Sequence, residues 1–221
     1  MPSKRTARIG ALTVAAVCST VSAVVLTAPA HADTVHIHDI QGTTRTSPYA
    51  GQKVTDVAGI VTALRTYGSS RGFWIQDPTP DNDPATSEGV FVFTSSTPKV
   101  AVGDSVTVTG TVSEYVPGGA SSGNQSLTEI TKPTITVLSS GNAVPAPTVI
   151  NSRSVPAAYA PAGDTAASGS INALTLEPTK YALDYYESLE GMNVQVADTR
   201  VVTATDPCSE LWVTVKPHEH A

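Results

Sequence analysis

Three groups of residues have the types and spacing to do chemistry. In the first, Asp77, Asp81, Asp83 and Glu88 fall at positions 1, 5, 7 and 12 of a single stretch, a spacing that imitates an oxygen-ligand calcium loop. Asn82 stands where an EF-hand needs its glycine, Pro78 and Pro80 stiffen the early turn, and strand-like sequence replaces the flanking helices. An EF-hand is excluded, and the stretch reads first as a wide, structural strand connection shaped by Pro and Asp. In the second group, His36 and His38, and again His218 and His220, stand two residues apart. On a strand each pair would share one face and could begin a zinc site, but no third ligand stands near either pair in sequence, so both read as solvated. In the third, Arg65, Tyr67 and Arg71 precede Phe73 and Trp74. Guanidinium groups beside an aromatic ring suit single-stranded nucleic acid, with charge for the backbone and a flat face for a base. Strand alternation lets only one of Phe73 and Trp74 face outward.

The elements that must position these groups are strands. Lys53 to Leu64 carries Val54, Ile60 and Val61 around Gly59, where a bend is expected. Gly72 to Asp77 and Gly89 to Thr94 flank the acidic stretch. Gly103 to Tyr115 alternates, with Val106, Val108 and Val112 as candidate core residues. Leu127 to Ile130 and Thr134 to Leu138 are shorter segments around Lys132-Pro133. This pattern predicts an all-β fold, a five-stranded Greek-key barrel of the OB type over residues 33–140. A linker rich in Ala, Pro, Ser and Gly is expected at 141–178, crossing the barrel surface irregularly. Within 179–221 a helix is expected over Lys180 to Leu189, capped by Thr179 and ended by Gly191. "GMNVQVADTRVVTA" from Gly191 then echoes "GQKVTDVAGIVTA" from Gly51, and "ELWVTVKP" from Glu210 echoes "GFWIQDP" from Gly72. These read as the first strands of an incomplete second barrel, in a chain expected to be the start of a longer protein.

Residues 1–32 are read separately. Lys4, Arg5 and Arg8 precede the apolar stretch Ala11 to Leu26, and Ala30-His31-Ala32 offers small residues for cleavage, the pattern of a secretory signal peptide. A secreted, extracellular protein without a stable membrane anchor is expected. Removing that segment leaves ten Lys/Arg against nineteen Asp/Glu, a formal net charge of −9. Such a balance argues against tight nucleic-acid binding driven by counterion release. Cys208 would be the remaining cysteine, so an internal disulfide framework is excluded.

The motifs "HIHDIQG", "SPYAGQKVTDVAGIVTA", "GFWIQDP", "DNDPATSEGVFVF", "VGDSVTVTGTVSEY" and "YYESLEGMNVQV" together resemble secreted bacterial nucleases. In that family OB-fold modules precede a C-terminal endonuclease/exonuclease/phosphatase-type domain. The resemblance implies a metal-dependent phosphodiesterase, with magnesium or calcium held in a catalytic domain that this chain lacks. It also implies a nucleic-acid-binding or bracing role for the barrel, with single-stranded DNA or RNA and the protein's own nuclease domain as partners. No residue here matches that domain's catalytic set. The chain also offers no Walker loop and no nucleophile-elbow serine. The chain is therefore expected to be non-catalytic by itself and to hold no cofactor. The competing expectation is a structural or calcium-dependent extracellular interaction module, with Asp77, Asp81, Asp83 and Glu88 as its calcium loop.

Overall fold

The computed structural model describes residues 34–205 and 211–215. Residues 1–32, read from sequence as a signal peptide, lie outside the described residues, as do Cys208 and the His218/His220 pair. Strands dominate, as the alternation of Val and Thr requires. β1 (Lys53–Arg65), β2 (Gly72–Gln76), β3 (Gly89–Phe93), β4 (Ser105–Tyr115) and β5 (Leu127–Ser139) close into a barrel in the order β1-β2-β3-β5-β4. All neighbours are antiparallel except β3 and β5, which run parallel. This is the five-stranded OB architecture.

Inward-facing residues fill the barrel. Val54, Val57, Val61, Phe73, Ile75, Val90, Val92, Val106, Val108, Val112 and Ile130 form its core. The short helix α1 (Ile37–Gln41) adds Ile37 and Ile40, both fully buried in the same cluster. The "HIHDIQG" stretch is therefore helical over Ile37–Gln41. Helical geometry turns Ile37 and Ile40, three apart, to one face, and the barrel end offers the apolar surface that covers it.

Two expected strand details are corrected. β1 remains regular at Gly59, and its register shifts instead between Val54 and Val57 and between Val61 and Ala63. Asp56 sits in the first irregularity with φ of 53°. The segments around Lys132-Pro133 are one continuous strand, β5, in which Lys132 takes φ of 51° beside a register shift in the β4 pairing. A proline stays within this strand because the bulge releases it from the regular ladder.

Residues 141–178 do follow an irregular path, and they are tied to the barrel. β6 (Thr148–Ile150) pairs in parallel with β7 (Val194–Val196), and Ile150, Val155 and Leu176 are buried. The helix α2 (Ala182–Glu187) is shorter than expected and begins after Tyr181 rather than Thr179. Its buried residue is Asp184, so a polar contact rather than an apolar stripe fixes it. Beyond it, β8 (Arg200–Val201) pairs antiparallel with β9 (Val213–Thr214), the same relation that β1 has to β2. No described helix is long and apolar enough to cross a membrane.

Candidate functional site

The β2–β3 hairpin carries a different site at each end. On its outer face, Trp74 and Phe91 are cross-strand partners with ring centroids 4.8 Å apart and planes tilted by 49°. Alternation sends Phe73 inward, where it is fully buried, and Trp74 outward. Phe73 is thus removed from the nucleic-acid candidates: it fills the barrel core. Gly72 makes the arrangement possible, because a Cβ there would lie 2.5 Å from the Phe91 ring.

Trp74, Phe91, Phe93, Tyr115 and Leu127 line a groove of about 700 Å³ with Arg65 at its side. Neither Phe91, Phe93, Tyr115 nor Leu127 stood out as a binding residue in the sequence; pairing across β2, β3, β4 and β5 brings them together. Arg65 lies with its guanidinium 5.5 Å from the centre of the exposed Tyr67 ring. Arg71 is half-buried and outside the groove lining. The Nε–H groups of Arg65 and Arg71 are buried without a hydrogen-bond acceptor among the described residues.

Two acids complete the groove. Burial raises the pKa of Glu129. Glu190 follows α2, and burial, reinforced by the neighbouring Glu187, raises its pKa to about 8. Glu190 accepts the Thr128 N–H at 2.7 Å, which opposes that shift. The Glu190 carboxyl is therefore mostly neutral at pH 7, and this end of the groove carries less negative charge than composition implies.

At the loop end of the same hairpin, the acidic stretch meets α1. The Asp77 N–H donates to the Glu88 carbonyl at 2.9 Å and closes the loop. His36 Nδ1 lies 3.0 Å from Asp77 Oδ2, and His38 Nδ1 lies 3.3 Å from Glu88 Oε2. The two imidazoles stack nearly parallel with centroids 5.1 Å apart. Hydrogen bonding to Asp77 raises the pKa of His36, and burial raises that of Glu88. His36 and His38 are thus not isolated chain-end residues: the fold supplies the acidic neighbours that sequence spacing could not.

Asp81 and Asp83 each engage one carboxylate oxygen in the loop's own turns. Asp81 Oδ1 accepts the Asp83 N–H at 2.7 Å, and Asp83 Oδ1 accepts the Ala85 N–H at 2.9 Å. These carboxylates shape the turn, as Asx geometry does. Ligand atoms of His38, Asp77 and Glu88 instead lie within 4.8 Å of one another.

Comparison with known proteins adds little to this geometry. Residues 149–221 match a family model described as a domain of unknown function (DUF8508). No curated protein matches the chain. Among solved structures, an aspartyl tRNA synthetase from Entamoeba histolytica is similar over 49% of this chain and 23% of that one, at 22% identity and a TM-score of 0.29.

Proposed function

We propose that the barrel is a non-catalytic OB-fold module of a secreted nuclease and holds short single-stranded DNA or RNA for a catalytic domain elsewhere in that protein. The observation that carries this reading is the aromatic groove across β2, β3 and β5, the face on which OB barrels bind oligomers. Trp74 and Phe91 offer faces for bases, and the Arg65 guanidinium at the groove's side offers positive charge for backbone phosphates. The motif resemblance to secreted nucleases supports the same reading. Phosphodiester cleavage is assigned elsewhere because the nucleases this chain resembles carry their catalytic set in a separate C-terminal domain.

Binding is weak by this account. Base stacking contributes about 1–3 kcal/mol per base, and few phosphates are neutralised, so affinity falls in roughly the micromolar-to-millimolar range. Fluorescence anisotropy with a labelled single-stranded oligonucleotide tests it. Trp74→Ala should weaken binding about tenfold, the equivalent of losing one stacked base. A wild-type chain that shows no binding even at low salt would overturn the reading in favour of a brace or surface-interaction module.

A further inference from the structure

The cluster at the loop end of the hairpin has a composition that the groove does not explain. Its side chains are far apart in sequence: His38 comes from α1, and Asp77 and Glu88 from the two ends of the β2–β3 loop, directly after β2 and directly before β3. The Asp77 and Glu88 side chains are each only 7% exposed. Among the described residues no lysine or arginine pairs with either, and histidines are their cationic partners. Burying a carboxylate costs several kcal/mol unless a counter-charge and hydrogen bonds offset it. Two such groups side by side, with Asp81 Oδ2 also 4.0 Å from His38 Nδ1, favour a cation.

We propose that His38, Asp77 and Glu88 bind a borderline divalent cation of the zinc type. One imidazole nitrogen and two carboxylate oxygens match zinc's donor preferences. Calcium is disfavoured because it takes six to eight oxygens, and the loop commits Asp83 to its own turn. Two ligands on one zinc ion, each at about 2.0–2.2 Å, lie roughly 3–4 Å apart. The observed spread of up to 4.8 Å closes to that by small side-chain rotations.

The surroundings have the features of a second shell. His36 braces Asp77 at 3.0 Å, the Thr79 N–H donates to Asp77 Oδ1 at 2.8 Å, and the Asp81 N–H donates to Glu88 Oε1 at 2.8 Å. Asp39 Oδ1 lies 3.9 Å from His38 Nε2. Such outer contacts orient ligands. A pocket of about 340 Å³ lined by His38, Asp81 and Thr86 opens beside the cluster, and Glu88 lines a neighbouring one with Asp81 and Thr86. The bound ion would staple α1, which plugs the barrel, to the β2–β3 loop. Its binding free energy would then add to folding.

The test uses the purified chain, stripped with chelator and titrated with zinc, calcium and magnesium separately by calorimetry and thermal melting. One zinc per chain and a raised melting temperature are expected. Asp77→Asn and Glu88→Gln should each weaken zinc about tenfold or more. His218→Ala with His220→Ala should leave zinc binding unchanged. X-ray absorption at the zinc edge of the wild type should show nitrogen and oxygen donors; this keeps the proposal falsifiable if a variant fails to fold. The proposal is overturned if zinc does not saturate, if only calcium raises the melting temperature, if the His218/His220 change abolishes binding, or if the spectrum shows sulfur from Cys208.

Discussion

Barrel and docked segment achieve burial by different means. In the barrel, Phe73, Ile75, Val90, Val92, Val106 and Val108 pack side chain against side chain and are fully buried. Between residues 141 and 193, the most buried anchor is an ion pair. Arg45 Nη2 donates to Asp184 Oδ1, and both side chains are 1% exposed. Arg45 Nη1 also donates to the Ile171 carbonyl at 2.8 Å, and the Glu177 N–H donates to Asp184 Oδ2 at 2.7 Å. Further polar contacts continue the dock: Asn193 N–H to Gln76 Oε1 at 2.8 Å, Ser87 Oγ to the Glu190 carbonyl at 2.6 Å, and Leu176 N–H to the Thr43 carbonyl at 2.9 Å. Gly89 and Gly191 let the two backbones touch, since a Cβ on Gly89 would lie 2.3 Å from the Gly191 carbonyl carbon. Apolar packing tolerates repacking at constant volume, whereas a buried ion pair fixes one position and is costly to leave half-made.

The largest expected effects put that difference to the test. Arg45→Ala leaves Asp184 buried and unpaired and should cost about 3–5 kcal/mol in denaturant unfolding. Phe73→Ala should cost a similar amount, about 3–5 kcal/mol, through a core cavity. The two should part in limited proteolysis. The Arg45 variant should be cut first between residues 141 and 193, while the Phe73 variant should lose both regions together. Simultaneous loss in both variants would mean that barrel and segment form one cooperative unit. The double change Arg45→Met with Asp184→Leu should recover most of the lost stability, because it removes both charges.

A smaller effect follows from the acids at the same junction. Burial raises Glu187 to about 7 and Glu190 to about 8, from an ordinary value of 4.5. The fold favours their neutral forms, so this stabilisation is complete below about pH 4.5 and is lost as pH rises through 7 and 8. The melting temperature should fall by about 4 °C or more between pH 6 and pH 9. Glu190→Gln should flatten that slope. An unchanged slope would place the titration on other groups.

The smallest effect concerns the groove's cations. Arg65→Ala with Arg71→Ala should weaken oligonucleotide binding and reduce its salt dependence by roughly the two phosphates they would neutralise. The thermal melt should move by less than Phe73→Ala moves it. Binding that is unaffected at two salt concentrations would put the contact surface elsewhere.

The barrel was legible from the chain because its signals are local. Alternation around Val106, Val108 and Val112, glycines at strand starts, and the spacing of five strands need only the period of a pleated strand to be read. One of Phe73 and Trp74 had to face outward for the same reason. Which one did so required the core, since only the closed barrel shows that the face holding Phe73 and Ile75 packs against Val92 and Val106. The groove was half legible: Arg65 and Trp74 come from adjacent sequence, but Phe91, Tyr115 and Leu127 join them only through pairing across β2, β3, β4 and β5. The histidine–acid cluster was legible as two unrelated fragments. His36 and His38 stand 41 and 50 residues from Asp77 and Glu88, and no sequence period links them. The Arg45–Asp184 anchor, 139 residues apart, left no sequence signal at all. Local periodicity settles which residues share a face, because it depends on backbone geometry alone. Which faces and loops meet is decided by the closure of the barrel, the docking of α1 on its end and the return of the chain after Leu176.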